Sequence, residues 1–142
     1  MKTYIHIGVD KCGSSSLQSF LSINGEFLNN KNRLIQYKCL TKNGILTSDK
    51  IKYLVNKKNK VFLSSMGLKD ILNYEENNFC SLVKKNKVNI SDESDQIYSC
   101  EGWYRGLKNF EFIKRISNGF QSCNFNKLIF VAFLRSPVLW IN

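Results

Sequence analysis

Proline is almost missing from this chain: Pro137 is the single one in 142 residues. Polyproline ligand segments, collagen-like repeats and proline-stiffened linkers are excluded with it. Histidine is equally scarce, with His6 alone. The five cysteines, Cys12, Cys39, Cys80, Cys100 and Cys123, are odd in number and form no C-x-x-C pair. Neither a disulfide framework nor a zinc site is favoured by that inventory, and no metal is expected. Long apolar runs are lacking too. The longest, Leu128 to Leu134, falls far short of the roughly 20 residues that a membrane-spanning helix needs. The residues after Met1 carry no basic segment, no apolar stretch of signal length and no small-residue cleavage site. A cytoplasmic protein without a membrane span is expected.

Acidic residues are few beside basic ones, 11 against 21, for a formal charge of +10. A basic field concentrates anions, whether nucleic acid, membrane surface or a polyanionic small ligand. Most of this charge is lysine within asparagine-rich stretches such as Asn29 to Arg33 and Lys57 to Lys60. These read as solvated loops and helix faces. A nucleic-acid surface would cluster its cations on one element and interleave them with aromatics, so nucleic acid is not an expected partner. With 43% hydrophobic residues, the chain can bury one core, and residues 1–142 read as a single domain.

Tyr4 to Gly8 is a short run of aromatic and β-branched residues closed by glycine, a strand signal. It leads through Val9 to Gly13 into Ser14, Ser15 and Ser16, hydroxyls suited to a helix start, and then Leu17, Phe20 and Leu21 at helical spacing. Lys50 to Val55, Leu68 to Tyr74 and Phe79 to Val83 read as helical, Asn89 to Asp95 as a loop, and Gln96 to Cys100 as a second strand. Leu107, Phe110, Ile113 and Ile116 form an amphipathic stripe that stops at Asn118-Gly119. The run from Leu128 to Leu134 reads as a strand buried on both faces, ended by Arg135-Ser136-Pro137. Strands alternating with helices predict an α/β fold: a three-layer parallel sheet whose ligands sit beyond the carboxyl ends of the strands.

The segment from Gly8 to Ser15 has the G-x-x-x-x-G spacing of a phosphate loop, in which backbone N–H groups and a helix N-terminus enclose an anion. In a metal-dependent nucleotide kinase or NTPase, lysine follows the second glycine. Here Ser14 stands in that place and the lysine lies inside the loop, at Lys11. The strand from Leu128 runs into Arg135 where such an enzyme would supply a metal-holding aspartate.

The stretch YIHIGVDKCGSSSLQSFL resembles the phosphosulfate loop of sulfotransferases that use 3′-phosphoadenosine-5′-phosphosulfate (PAPS). FVAFLRSP resembles their 3′-phosphate strand, and YSCEG resembles a Ser-Ser-Glu-Gly strand end found between these motifs in several prokaryotic-type members. The resemblance implies a P-loop fold of sulfotransferase type, with PAPS as co-substrate and a small molecule, glycan or lipid headgroup as acceptor. It implies that Lys11 contacts the oxygen bridging phosphate and sulfate, and that Gly8, Cys12, Gly13, Ser14, Ser15 and Ser16 surround the 5′-phosphate. Arg135 would take the 3′-phosphate, and Glu101 would be the base that deprotonates the acceptor. His6 reads instead as a hydrogen-bonded core histidine. Trp103, Tyr104 and Arg105 either line an acceptor pocket or pack against the following helix. The family motif continues past its arginine to a serine that lies beyond Asn142, which implies a donor-binding portion, C-terminally incomplete. The alternatives are a nucleotide-binding remnant without turnover and a P-loop kinase with a displaced lysine.

Overall fold

The computed structural model describes residues 2–8, 13–85, 94–121 and 127–133. In chain order the elements are β1 (Lys2–His6), α1 (Ser14–Asn24), β2 (Glu26–Leu28), β3 (Leu34–Thr41), β4 (Gly44–Leu46) and α2 (Ser48–Lys57). They continue with α3 (Leu68–Leu72), α4 (Glu76–Lys85), β5 (Asp95–Ser99), a 3-10 segment (Trp103–Lys108), α5 (Phe110–Gln121) and β6 (Lys127–Val131). The strands form one sheet in the order β2-β3-β5-β1-β6, with β4 added on β3.

The fold is α/β, and the sheet is mixed rather than purely parallel. β3, β5, β1 and β6 run parallel, whereas β2 and β4 each fold back antiparallel on β3. Parallel neighbours require a long crossover, but an antiparallel return needs only a turn, and the two turns are built from local polar side chains. Asn29 Oδ1 accepts from the backbone N–H of Lys31 (2.8 Å) and Arg33 (3.0 Å). The Thr41 hydroxyl donates to the Gly44 carbonyl at 2.7 Å and accepts from the Asn43 amide at 3.2 Å.

Because successive side chains of a strand point to opposite faces, each strand supplies two cores. On one face Ile5, Ile7, Leu40, Tyr98 and Cys100 pack with Ile71, Phe79, Val83, Phe112, Ile116 and Phe120 from α3, α4 and α5. On the other, Tyr37 and Cys39 pack with Leu21, Ile51 and Val55 from α1 and α2. Helices therefore cover both faces, the expected three layers. Asp95, fully buried at the start of β5, is held by the backbone N–H of Lys2 at 2.7 Å and by Arg33 at 3.3 Å. It ties β1 to β5 and to the turn before β3.

Two expectations shift. The apolar run after Leu128 does form a strand, but among the described residues β6 pairs only with β1, and its side chains are half-buried or exposed. The amphipathic helix begins at Phe110, not Leu107. Asn109 starts it, its Oδ1 accepting from the amides of Glu111 (3.0 Å) and Phe112 (3.3 Å), which separates it from the 3-10 segment. Among the described residues no helix is long and apolar enough to cross a membrane.

Gly119 lets α5 approach α4: a Cβ there would lie 2.5 Å from Cε1 of the buried Phe79 ring. Overpacking at such a contact costs about 1–3 kcal/mol. Gly119→Ala is expected to lower the urea midpoint accordingly, with an unchanged denaturant slope.

Candidate functional site

The carboxyl ends of three parallel strands meet at Gly8. Beyond β1, the Ile7 amide donates to Val131 of β6 at 3.0 Å, the Cys100 amide to His6 at 3.3 Å, and the Gly102 amide to Gly8 at 3.3 Å. A Cβ on Gly8 would lie 2.9 Å from Cα of Glu101 and 2.9 Å from Oγ of Ser14. The start of the glycine loop, the end of β5 and the first turn of α1 thus approach so closely that only a hydrogen fits between them.

Gly13 closes the loop in the left-handed region, with φ 80° and ψ 14°, and heads α1. Its carbonyl accepts the first helical bond, from Leu17 N at 3.0 Å. No side-chain cap and no acidic residue occupies the first turn of α1. Ser14 is buried, while Ser15 and Ser16 are exposed. A helix start with a positive dipole end, without a side-chain cap among the described residues, suits an anion.

Of the sequence-predicted residues, the fold brings Gly8, Ser14 and Glu101 into direct proximity, with Gly13, Ser15 and Ser16 on the adjoining turn. Glu101 is exposed and lies just past Cys100, beyond the end of β5. Lys11, Cys12 and Arg135 lie outside the described residues. Trp103 does not line a pocket. It is fully buried, donates its indole N–H to the Met66 carbonyl at 2.9 Å and packs on Phe112. Tyr104 is half-buried and Arg105 exposed, with Arg105 Nε 3.0 Å from the Tyr104 hydroxyl.

A polar group lies beneath the site on the α1 side of the sheet. His6 Nδ1 is 2.7 Å from Ser99 Oγ, and Gln18 Nε2 of α1 donates to the same hydroxyl at 3.1 Å. All three residues are fully buried. His6 is thus the hydrogen-bonded core histidine expected of it. The roles of Gln18 and Ser99 were not read from the sequence. The available signal was a glutamine one residue after Leu17 and three before Leu21, on the inward stripe of the helix.

Burial pushes the thiols of Cys39 and Cys100 up to about 12, Cys100 further opposed by Cys39 and by the Glu101 charge. Both stay protonated near neutral pH and are poor nucleophiles. Among the described residues no group of three or more His, Cys, Asp or Glu is placed to hold a metal ion. Comparison with protein-family models, with curated proteins and with solved structures finds no match to this chain.

Two outcomes follow from this geometry. Gly8→Ala pushes against backbone at Glu101 and is expected to destabilise the fold by about 1–3 kcal/mol, measured by urea unfolding. Burial also lowers the His6 pKa below its ordinary 6.5. The unfolded chain then binds a proton that the folded chain excludes, so this contribution is complete above pH ~6.5 and is lost as pH falls towards the folded value. Unfolding free energy measured from pH ~7 down to ~5 should decline, and the decline should be shallower in His6→Asn.

Proposed function

We propose that the chain binds the 5′-phosphosulfate end of PAPS between the Gly8–Gly13 loop and the first turn of α1, and acts as a sulfotransferase of P-loop type. The observation that supports this reading is the close approach of Gly8, Ser14 and the Glu101 backbone, which brings the start of α1 beside an acidic residue just past the end of a neighbouring strand. Lys11 inside the loop, with Ser14 where a kinase places its lysine, favours a phosphosulfate over a magnesium-bound triphosphate.

In this reading an acceptor hydroxyl or amine attacks the donor sulfur and gives its proton to Glu101. The sulfur–oxygen bond to the phosphate breaks, and the bridging oxygen takes the electron pair. Lys11, together with the amides and hydroxyls of Gly13, Ser14, Ser15 and Ser16, stabilises that oxygen as its charge grows, so the contact is stronger in the transition state than in the ground state. Cys12 contributes its backbone to the loop. Arg135 forks onto the 3′-phosphate, and adenosine 3′,5′-bisphosphate leaves as product.

Calorimetric titration with adenosine 3′,5′-bisphosphate, compared with adenosine 5′-monophosphate, tests the donor site. The bisphosphate is expected to bind more tightly. Arg135→Ala should erase that preference, a loss of roughly ten- to a hundredfold, as hydrogen bonds to charged groups are worth about 1.5–3 kcal/mol. Lys11→Ala should weaken both ligands. No binding by the folded wild-type chain overturns the reading, and binding without sulfuryl transfer to any acceptor marks a nucleotide-binding remnant.

A further inference from the structure

His6, Ser99, Gln18 and Phe133 come from four separate places in the chain: β1, β5, α1 and the residues just after β6. The His6 ring bonds Ser99 through Nδ1 at 2.7 Å and lies 5.5 Å from the Phe133 ring. Ser99 also accepts from Gln18 at 3.1 Å. His6 and Ser99 are direct partners in the parallel register of β1 and β5, so both side chains leave the sheet on the face that α1 covers. Glu101 is two residues beyond Ser99, Gly8 two beyond His6, and Arg135 two beyond Phe133. The side-chain contacts therefore sit one layer below the ends of β1 and β5 that lead to Gly8 and Glu101.

Ser99 is the shared partner: its oxygen accepts from Gln18 Nε2, and its contact with His6 Nδ1 runs in the direction set by the tautomer of the ring. Every member is fully buried. Removing the central hydroxyl leaves an amide donor and an imidazole nitrogen without water to replace it, the costly way to break a buried hydrogen bond. His6 Nε2 and Gln18 Oε1 have no partner among the described residues, so the Ser99 hydroxyl is the one bonded contact of both side chains there.

We propose that His6, Ser99 and Gln18 form a positioning joint that fixes the first turn of α1 over the ends of β1 and β5, so that the phosphate-facing amides and Glu101 keep one mutual geometry. Gln18 is one turn along α1 from Ser14, and the joint therefore acts on the turn that meets Gly8. None of the three need touch a ligand. Only the purpose of the joint, alignment of a donor phosphate with the base, rests on the function proposed above.

Hydrogen exchange of the full chain reads the joint without any ligand. Ser99→Ala and Gln18→Met, which keeps the side-chain volume and deletes the amide, should each speed exchange in residues 14–18 by about tenfold, with α5 amides unchanged relative to wild type. The double variant should add little to either single one, because both remove the same bond. His6→Asn, whose amide reaches the place of Nδ1, should restore wild-type exchange where His6→Leu does not. In parallel, Ser99→Ala should weaken adenosine 3′,5′-bisphosphate and adenosine 5′-monophosphate by the same factor, about tenfold, keeping the preference between them. Unchanged exchange at residues 14–18, or acceleration spread equally into α5, overturns the joint. A wild-type chain that binds neither nucleotide removes the donor-site reading, and the exchange result still decides the joint.

Discussion

The structure depends on β1 being paired on both sides. Thr3 to His6 lie between β5 and β6 in unbroken parallel register, and the pairing runs on past the strand through Ile7 and Gly8. Backbone groups so placed have no access to water, and their hydrogen bonds hold the strand end rigid just where the chain turns into the glycine loop. The rest follows from that fixed point. Gly8 must lack a side chain because Glu101 and Ser14 are brought against it, and α1 must start where Gly13 turns left-handed.

Around this strand the polar interior is sparse and specific. Asp95 joins the start of β5 to Lys2 and Arg33, and Ser99 joins its end to His6 and Gln18. The two groups secure opposite ends of β5 against β1. Buried polar atoms are expensive unless bonded, so each group favours one register of the two strands and penalises a slip by one residue, which would turn every side chain to the other face.

The start of α1 is more legible in the sequence than the sheet. Glycines and serines at fixed spacing announce a loop and a helix start by their own conformational preferences, and β1, α1 and α5 followed from local signals. β3 was not recognised, although it pairs with three other strands. Its sequence, LIQYKCLT, places Gln36 and Lys38 among apolar residues, and Lys38 is buried within the sheet. β2 and β4, at three residues each, are too short to show any period. Their direction comes from the Asn29 and Thr41 turns, side-chain chemistry that a periodicity argument does not weigh. The apolar run of β6 reads as a strand buried on both faces, yet composition reports how greasy a strand is and not what covers it. For Trp103 the sequence leaves a ligand-facing role and packing against the following helix open, and the structure takes the second: its indole N–H bonds the Met66 carbonyl and its ring packs on Phe112 of α5.

The position of β1 also sets an order of events during synthesis. Among the described strands, β1 is made before β2, β3 and β4, whereas its own partners, Gln96 to Ser99 and Lys127 to Val131, are made after them. Until then its polar backbone and apolar side chains have nothing native to pair with, and closing so long a stretch of chain slows folding relative to local contacts. The hairpins of β2, β3 and β4 and the pairing of α1 with α2 can form early from neighbouring residues. Gly8 is therefore synthesised before the described residues that crowd it, Ser14 and Glu101, and gains its β5-side neighbour late.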